Sequence, residues 1–106
     1  MATKLIDGAT ANGDYGNVKV GESHGGLYQF QTKATDYDSG VVLPQVSADG
    51  THWVTALEED GGASTGLGAD GTKLFLVPAG FRYRLNVASI ATAADALNAW
   101  VGKVRN

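Results

Sequence analysis

The chain has 106 residues, of which 43% are hydrophobic and 18% are charged, and its formal net charge at pH 7 is −3. This length fits one domain, and the hydrophobic share is too high for a disordered chain. The acidic balance argues against a nucleic-acid-binding protein, which normally carries a basic face, and the absence of cysteine excludes a domain held by disulfides.

Glycine is the unusual component, with 15 residues against two prolines. Because glycine is costly inside helices and strands, it collects in turns, and many turns in a short chain favour an all-β fold. No apolar run approaches the roughly 20 residues that a transmembrane helix needs. The first residues also lack the apolar segment of a signal peptide, so we expect no membrane partner.

Residues 1–14 are small and polar, apart from Lys4, Leu5 and Ile6. The segment fits either an edge strand or a mobile N-terminal arm, followed by a β-sandwich domain over residues 15–106. An extended arm can add a strand to the sheet edge of a partner. We therefore predict an interface that includes Lys4, Leu5 and Ile6, together with Trp100.

Alternation of apolar and polar residues, which is typical of half-buried strands, recurs along the rest of the chain. It predicts strands at 15–21, 25–35, 40–47, 51–57, 73–77 and 81–89. Asp49-Gly50 predicts a tight turn, and Pro44 predicts an edge strand or a bulge, because proline cannot donate a ladder hydrogen bond. The acidic, glycine-rich residues 58–72 are predicted to form an exposed loop.

Two structures compete for residues 90–104. The alanine-rich part suits a helix with Thr92 as its N-cap, whereas residues 97–104 suit a last strand. We favour the strand, because Gly102 weakens the end of a helix. The resulting seven or eight short antiparallel strands predict a single-domain, all-β sandwich, and the jelly roll is one form that this pattern fits.

Eleven residues are predicted to form much of the core, because they occupy the apolar positions of six candidate strands. They are Tyr28, Phe30, Val46, Trp53, Leu57, Leu74, Leu76, Phe81, Tyr83, Leu85 and Val87.

The sequence offers no complete set of residues for catalysis or metal binding. Ser23 and His24 are adjacent, but neighbours on a strand point to opposite faces. Asp36 and Asp38 precede Gly40 as in part of a calcium loop, but the other ligands of such a loop are missing. We therefore expect no enzyme activity, no metal and no cofactor.

Three segments follow one another in a distinctive order: "GGLYQFQTKAT", "VVLPQVSADGTHWV" and "LFLVPAGFRYRLNV". The order resembles small virion structural proteins of tailed bacteriophages, most of all head decoration or cement proteins, over about residues 25–88. The residues that carry the resemblance are Leu43, Gln45–Ser47, Asp49–Thr51, Trp53, Val77–Gly80 and Arg82.

The resemblance implies a non-enzymatic protein that binds the outside of an assembled phage capsid and stabilises it. Its partner would be the major capsid protein, with several copies of the chain associating on the capsid surface after synthesis in the host cytoplasm. Two other functions stay open. One is a tail, fibre or head–tail connector component, and the other is a carbohydrate-binding β-sandwich in which Trp53 or Trp100 stacks on a sugar.

Overall fold

The computed structural model describes residues 2–9, 11–22, 24–34, 37, 40–88 and 97–105. Within these residues the chain forms eight strands and no helix. The strands are β1 (Ala2–Ala9), β2 (Gly13–Lys19), β3 (Gly26–Lys33), β4 (Val41–Ser47), β5 (Val54–Thr55), β6 (Gly71–Val77), β7 (Arg82–Ala88) and β8 (Leu97–Arg105). The all-β prediction is confirmed.

The strands form two four-stranded antiparallel sheets. Sheet A has the order β1-β8-β3-β6, and sheet B has the order β2-β7-β4-β5. Strand β1 pairs with β8, β2 with β7, β3 with β6 and β4 with β5, so the chain is a long hairpin that has been rolled up. Contacts of β8 with β3 and of β7 with β4 complete the roll. This is the jelly-roll form of the β-sandwich.

The core lies between the two sheets and receives alternate residues from strands of both. At its centre is an aromatic cluster of Tyr28, Phe30, Phe75 and Tyr83, whose neighbouring rings have centroids 5.5–6.0 Å apart. Tilted and edge-to-face arrangements of this kind are favourable for aromatic pairs. The prediction that Tyr28, Phe30, Val46, Tyr83, Leu85 and Val87 are buried is confirmed.

The facing of β6 was predicted wrongly. Phe75 and Val77 point into the core, whereas Leu74 and Leu76 are only half-buried. The run Leu74–Val77 is apolar throughout, so alternation alone gives no facing. The register decides it, because Phe75 pairs with Tyr28, which points inward.

The hairpin after β4 also differs from its prediction. Strand β5 has only two residues, and Ala56 is fully buried, whereas Leu57 is 46% exposed and Trp53 is half-buried. Thr55 pairs with Gln45, which faces outward, so Thr55 faces outward too. This register is the reverse of the predicted one, in which Trp53 and Leu57 face the core. Phe81 is half-buried and packs against the rim of the core.

Pro44 does not mark an edge strand or a bulge. Strand β4 pairs with β7 without a register shift and has β5 on its other side. The Pro44 carbonyl accepts a hydrogen bond from Ala56 N, on the side where β5 ends. The nitrogen and the carbonyl of one residue point to the same side of a strand. The nitrogen of Pro44, which has no hydrogen to donate, therefore points to the side where the ladder between β4 and β5 ends.

The last strand is confirmed over residues 97–105. The alternative helix with Thr92 as its N-cap begins outside the described residues, which resume at Leu97. Because β8 lies between β1 and β3, it is an interior strand of sheet A.

Candidate binding face

The outer face of sheet A displays residues from all four of its strands. The register places Lys4, Trp100, Gln31 and Thr72 in one row across β1, β8, β3 and β6. A second row consists of Ala2, Gly102, Gln29 and Leu74. These eight residues define the binding face.

Trp100 is the aromatic residue of the binding face. It is half-buried, and Lys4 Nζ lies 5.4 Å from the centroid of its ring, within the range of a cation–π contact. Lys4 Nζ also lies 3.0 Å from Asp7 Oδ1. The indole therefore has one neighbouring cation and keeps part of its surface open to solvent.

A groove with a volume of about 220 Å³ runs beside Trp100. It exists because Ala2 and Gly102 present almost no side chain to the second row, while Gln29, Lys103 and other larger residues form its walls. A wider cleft of about 640 Å³ lies on the other side of Gln29, between β6 and residues 58–60. The binding face therefore has a groove on each side of Gln29.

The wider cleft is bordered by a short hairpin over residues 57–63. Leu57 O accepts a hydrogen bond from Leu76 N, so the hairpin covers part of the free edge of β6. Glu58 Oε2 lies 3.4 Å from Lys73 Nζ and has no hydrogen bond. The acidic loop that the sequence predicts therefore forms a structured border along the edge of sheet A.

The predicted interface residues are divided between surface and core. Lys4 and Trp100 belong to the binding face, but Ile6 is 1% exposed and lies in the core. Leu5 occupies a bulge of β1 and packs over Gly16, where an added Cβ atom would lie 2.7 Å from the leucine side chain. Ile6 therefore belongs to the core, and Leu5 packs between β1 and β2.

Strand β1 is an edge strand and not a free arm, because residues 2–9 pair with β8. Its pairing shifts between Lys4 and Ile6 and again between Asp7 and Ala9. Bulges and charged residues are devices that prevent an edge from accepting another strand. This makes strand addition at β1 unfavourable and leaves the face of the sheet as the better surface for a partner.

The turn that carries the Asp-Gly-Thr motif is held by local hydrogen bonds. Asp49 Oδ1 accepts from the backbone N–H groups of Thr51 and His52, and Ser47 Oγ accepts from Gly50 N. The His52 backbone N–H, the His52 ring, the Thr51 N–H and the Ser47 hydroxyl, in this order, hold the pKa of Asp49 below its ordinary value. Gly50 has a φ of 81°, which favours glycine. The motif is therefore a turn-forming device.

The outer face of sheet B is cross-linked by its own side chains. Arg84 donates from Nε to Gln45 Oε1 at 2.7 Å, and its Nη1 lies 3.4 Å from Asp14 Oδ2. The ring of Trp53 covers the same guanidinium. Arg84 alternates with the buried Tyr83 and Leu85 and lies outside the core, and Trp53, which the alternation pattern predicts in the core, packs on it there.

Other kinds of site have limited support in the described part of the chain. No group of three or more His, Cys, Asp and Glu residues there is arranged to hold a metal ion. Ser23, Asp36 and Asp38 lie outside the described residues. No helix within the described ranges is long and apolar enough to cross a membrane.

Comparisons of the chain with protein-family models, with curated proteins and with solved structures find no match.

Proposed function

We propose that this protein is a non-enzymatic virion structural protein that decorates the outside of an assembled phage capsid and stabilises it. The observation that carries the proposal is the position of Trp100 on the outer face of sheet A, beside a groove and next to Lys4. Tryptophan is enriched among the residues that dominate protein–protein binding energy. The resemblance of residues 25–88 to decoration proteins supplies the partner, the major capsid protein.

The contrast between the two sheets supports the choice of face. Arg84 and Trp53 on sheet B are engaged with each other and with neighbouring side chains. On sheet A, Trp100 has the exposed Lys4 over its ring and a groove at its edge. A partner can fill that groove without first breaking a network of hydrogen bonds, so docking there has the lower desolvation cost.

Stabilisation of the capsid follows from linkage. A protein that binds the assembled shell but not free capsid subunits shifts the equilibrium towards the shell. Several copies of the chain that associate on the lattice strengthen each contact through a high effective concentration. A jelly-roll sandwich with its own hydrophobic core suits this role, because such a chain can fold without its partner.

Co-sedimentation of the purified protein with empty shells, assembled from the major capsid protein of the same phage, tests the proposal. We expect saturable binding at a fixed number of copies per shell, no binding to free capsid subunits, and a higher melting temperature of the decorated shell. Binding to isolated tails with no affinity for shells would favour a tail, fibre or connector component. Selective binding on a glycan array with no affinity for shells would favour a carbohydrate-binding module.

A further inference from the structure

Positive charge is concentrated on sheet A, although the chain as a whole is acidic. Five of the eight lysine and arginine residues lie in strands of sheet A, together with a single acidic residue, Asp7. These strands therefore have a net charge of +4, whereas the chain has a net charge of −3. The five basic residues are Lys4, Lys33, Lys73, Lys103 and Arg105.

Two of these cations are neutralised by the hairpin at the edge of the sheet. Lys73 pairs with Glu58, and Arg105 pairs with Glu59. The remaining three lie on β8, the strand that carries Trp100, and on its two neighbours, β1 and β3. Lys4 lies over the ring of Trp100, Lys103 lines the groove beside it, and Lys33 lies on the same side of the adjacent strand, opposite Asn98.

These three lysines are available to a partner. Lys33 is 72% exposed and lies 4.0 Å from Asp70, and Lys4 pairs with the exposed Asp7. Exposed ion pairs of this kind contribute little to stability and exchange easily. The side chain of Lys103 has no ion pair or hydrogen bond within the described residues.

We propose that the outer face of sheet A docks on an acidic protein surface, with Trp100 as the apolar anchor and Lys4, Lys33 and Lys103 as the nearby cations. The proposal rests on the proposed capsid-binding function and names the chemistry of the partner's surface. A large aromatic residue with charged groups nearby is the arrangement in which the anchor supplies affinity and the charges supply steering and register.

A nucleic acid fits this surface less well. Proteins that follow a phosphate backbone present an extended basic stripe. Here Arg82 and Arg84 lie on the other sheet, in contact with Asn17 and Gln45. The acidic residues of the 57–63 hairpin border the face and would repel a polyanion that extends beyond it.

Two charge reversals on opposite sheets test the proposal. Lys103→Glu changes a lysine that lines the groove beside Trp100, and Lys19→Glu changes an exposed lysine on sheet B. Neither lysine has an ion pair within the described residues, so both changes leave the internal charge pairs intact. Binding to the empty shells is measured by co-sedimentation from about 0.05 M to about 0.5 M salt.

We expect Lys103→Glu to weaken binding by about threefold to tenfold at low salt and Lys19→Glu to leave it unchanged. Wild-type binding should weaken as salt rises, and the effect of Lys103→Glu should shrink with it. Equal, salt-independent binding by all three proteins would overturn the proposal while the capsid-binding function stands. The docking proposal would also be overturned if the wild-type protein did not bind shells, or if it bound duplex DNA more tightly than shells. Absence of binding to shells would overturn the capsid-binding function as well.

Discussion

The indole of Trp53 lies over the guanidinium of Arg84, with 4.2 Å between Arg84 Cζ and the centroid of the ring. Gln45 and Asp14 hold the guanidinium from its sides, at 2.7 Å and 3.4 Å respectively. The stack thereby ties the turn after β4 to the outer face of β7. It also places one of the two tryptophans on sheet B, on the opposite side of the sandwich from Trp100.

Replacing Trp53 by alanine should cost less stability than a core substitution of similar size. A cation–π contact contributes about 0.5–2 kcal/mol, whereas removal of a buried aromatic costs about 3–5 kcal/mol. We expect Trp53→Ala to fall in the lower range and Phe30→Ala, which removes a fully buried ring, in the upper range. Urea denaturation of both variants measures this, and equal losses would place Trp53 in the core.

The facing of β6 gives a second comparison between adjacent residues. Phe75 is fully buried, whereas Leu74 lies on the binding face. We expect Phe75→Ala to lower the free energy of unfolding by about 3–5 kcal/mol and Leu74→Ala by about 1 kcal/mol or less. A larger loss for Leu74→Ala would mean that the strand is turned the other way.

The turn at Asp49 predicts a loss of stability in acid. The pKa of this carboxyl group is held below its ordinary value of 3.8 in the folded protein, mainly by the His52 backbone N–H. Its contribution is therefore present above pH 4 and is lost as the pH falls through the folded pKa. Asp49→Asn should be less stable than wild type at pH 7, and the gap in melting temperature should narrow below pH 4.

Asp60→Asn is the control for that experiment, because it removes the same charge from the exposed 57–63 hairpin, where the carboxylate accepts one hydrogen bond from Gly62 N. Its melting temperature should stay close to that of the wild type from pH 7 to acid. A constant gap between Asp49→Asn and wild type over this range would show that the charge of Asp49 does not stabilise the turn.

Tyr37 predicts a loss of stability in alkali. Its hydroxyl donates to Asp70 Oδ1 at 2.8 Å and lies 2.9 Å from Thr32 Oγ1. Burial raises the pKa of Tyr37 from 10.0 to about 12. A raised folded pKa means that the contribution is present below pH 10 and is lost as the pH rises towards 12.

Tyr37→Phe should lower the free energy of unfolding at pH 7 by about 1 kcal/mol, because it removes these hydrogen bonds. Its difference from wild type should narrow between pH 10 and pH 12, as wild-type Tyr37 loses its contribution. Denaturant titrations at several pH values measure the difference. A difference that widens in alkali would contradict the role assigned to the hydroxyl.

The strand pattern was readable from the sequence where apolar and polar residues alternate. Tyr28, Phe30, Tyr83 and Leu85 occupy such positions, and all four are buried. Leu74 and its neighbours form a continuous apolar run, so the side that each residue faces depends on how β6 pairs with β3. The sequence of β6 alone does not contain this information.

The sequence predicts only part of the outer face of sheet A. Trp100 and Lys4 come from opposite ends of the chain, and only the pairing of β1 with β8 makes them neighbours. Leu5 and Ile6 follow directly after Lys4, a pattern that suits a surface contact as well as a core strand. The bulge at Leu5 decides between these, because it changes which side of the strand each residue takes.

The most direct test of the binding face compares the two tryptophans in one assay, since they lie on opposite outer faces of the same sandwich. Trp100→Ala and Trp53→Ala are measured for binding to assembled capsid shells at equal folded concentrations, verified by circular dichroism. If the outer face of sheet A docks on the shell, Trp100→Ala should lose about 2 kcal/mol of binding free energy, or roughly 30-fold in affinity, and Trp53→Ala should bind as the wild type does. Unchanged binding by Trp100→Ala, with a loss for Trp53→Ala, would contradict the account and move the docking surface to sheet B.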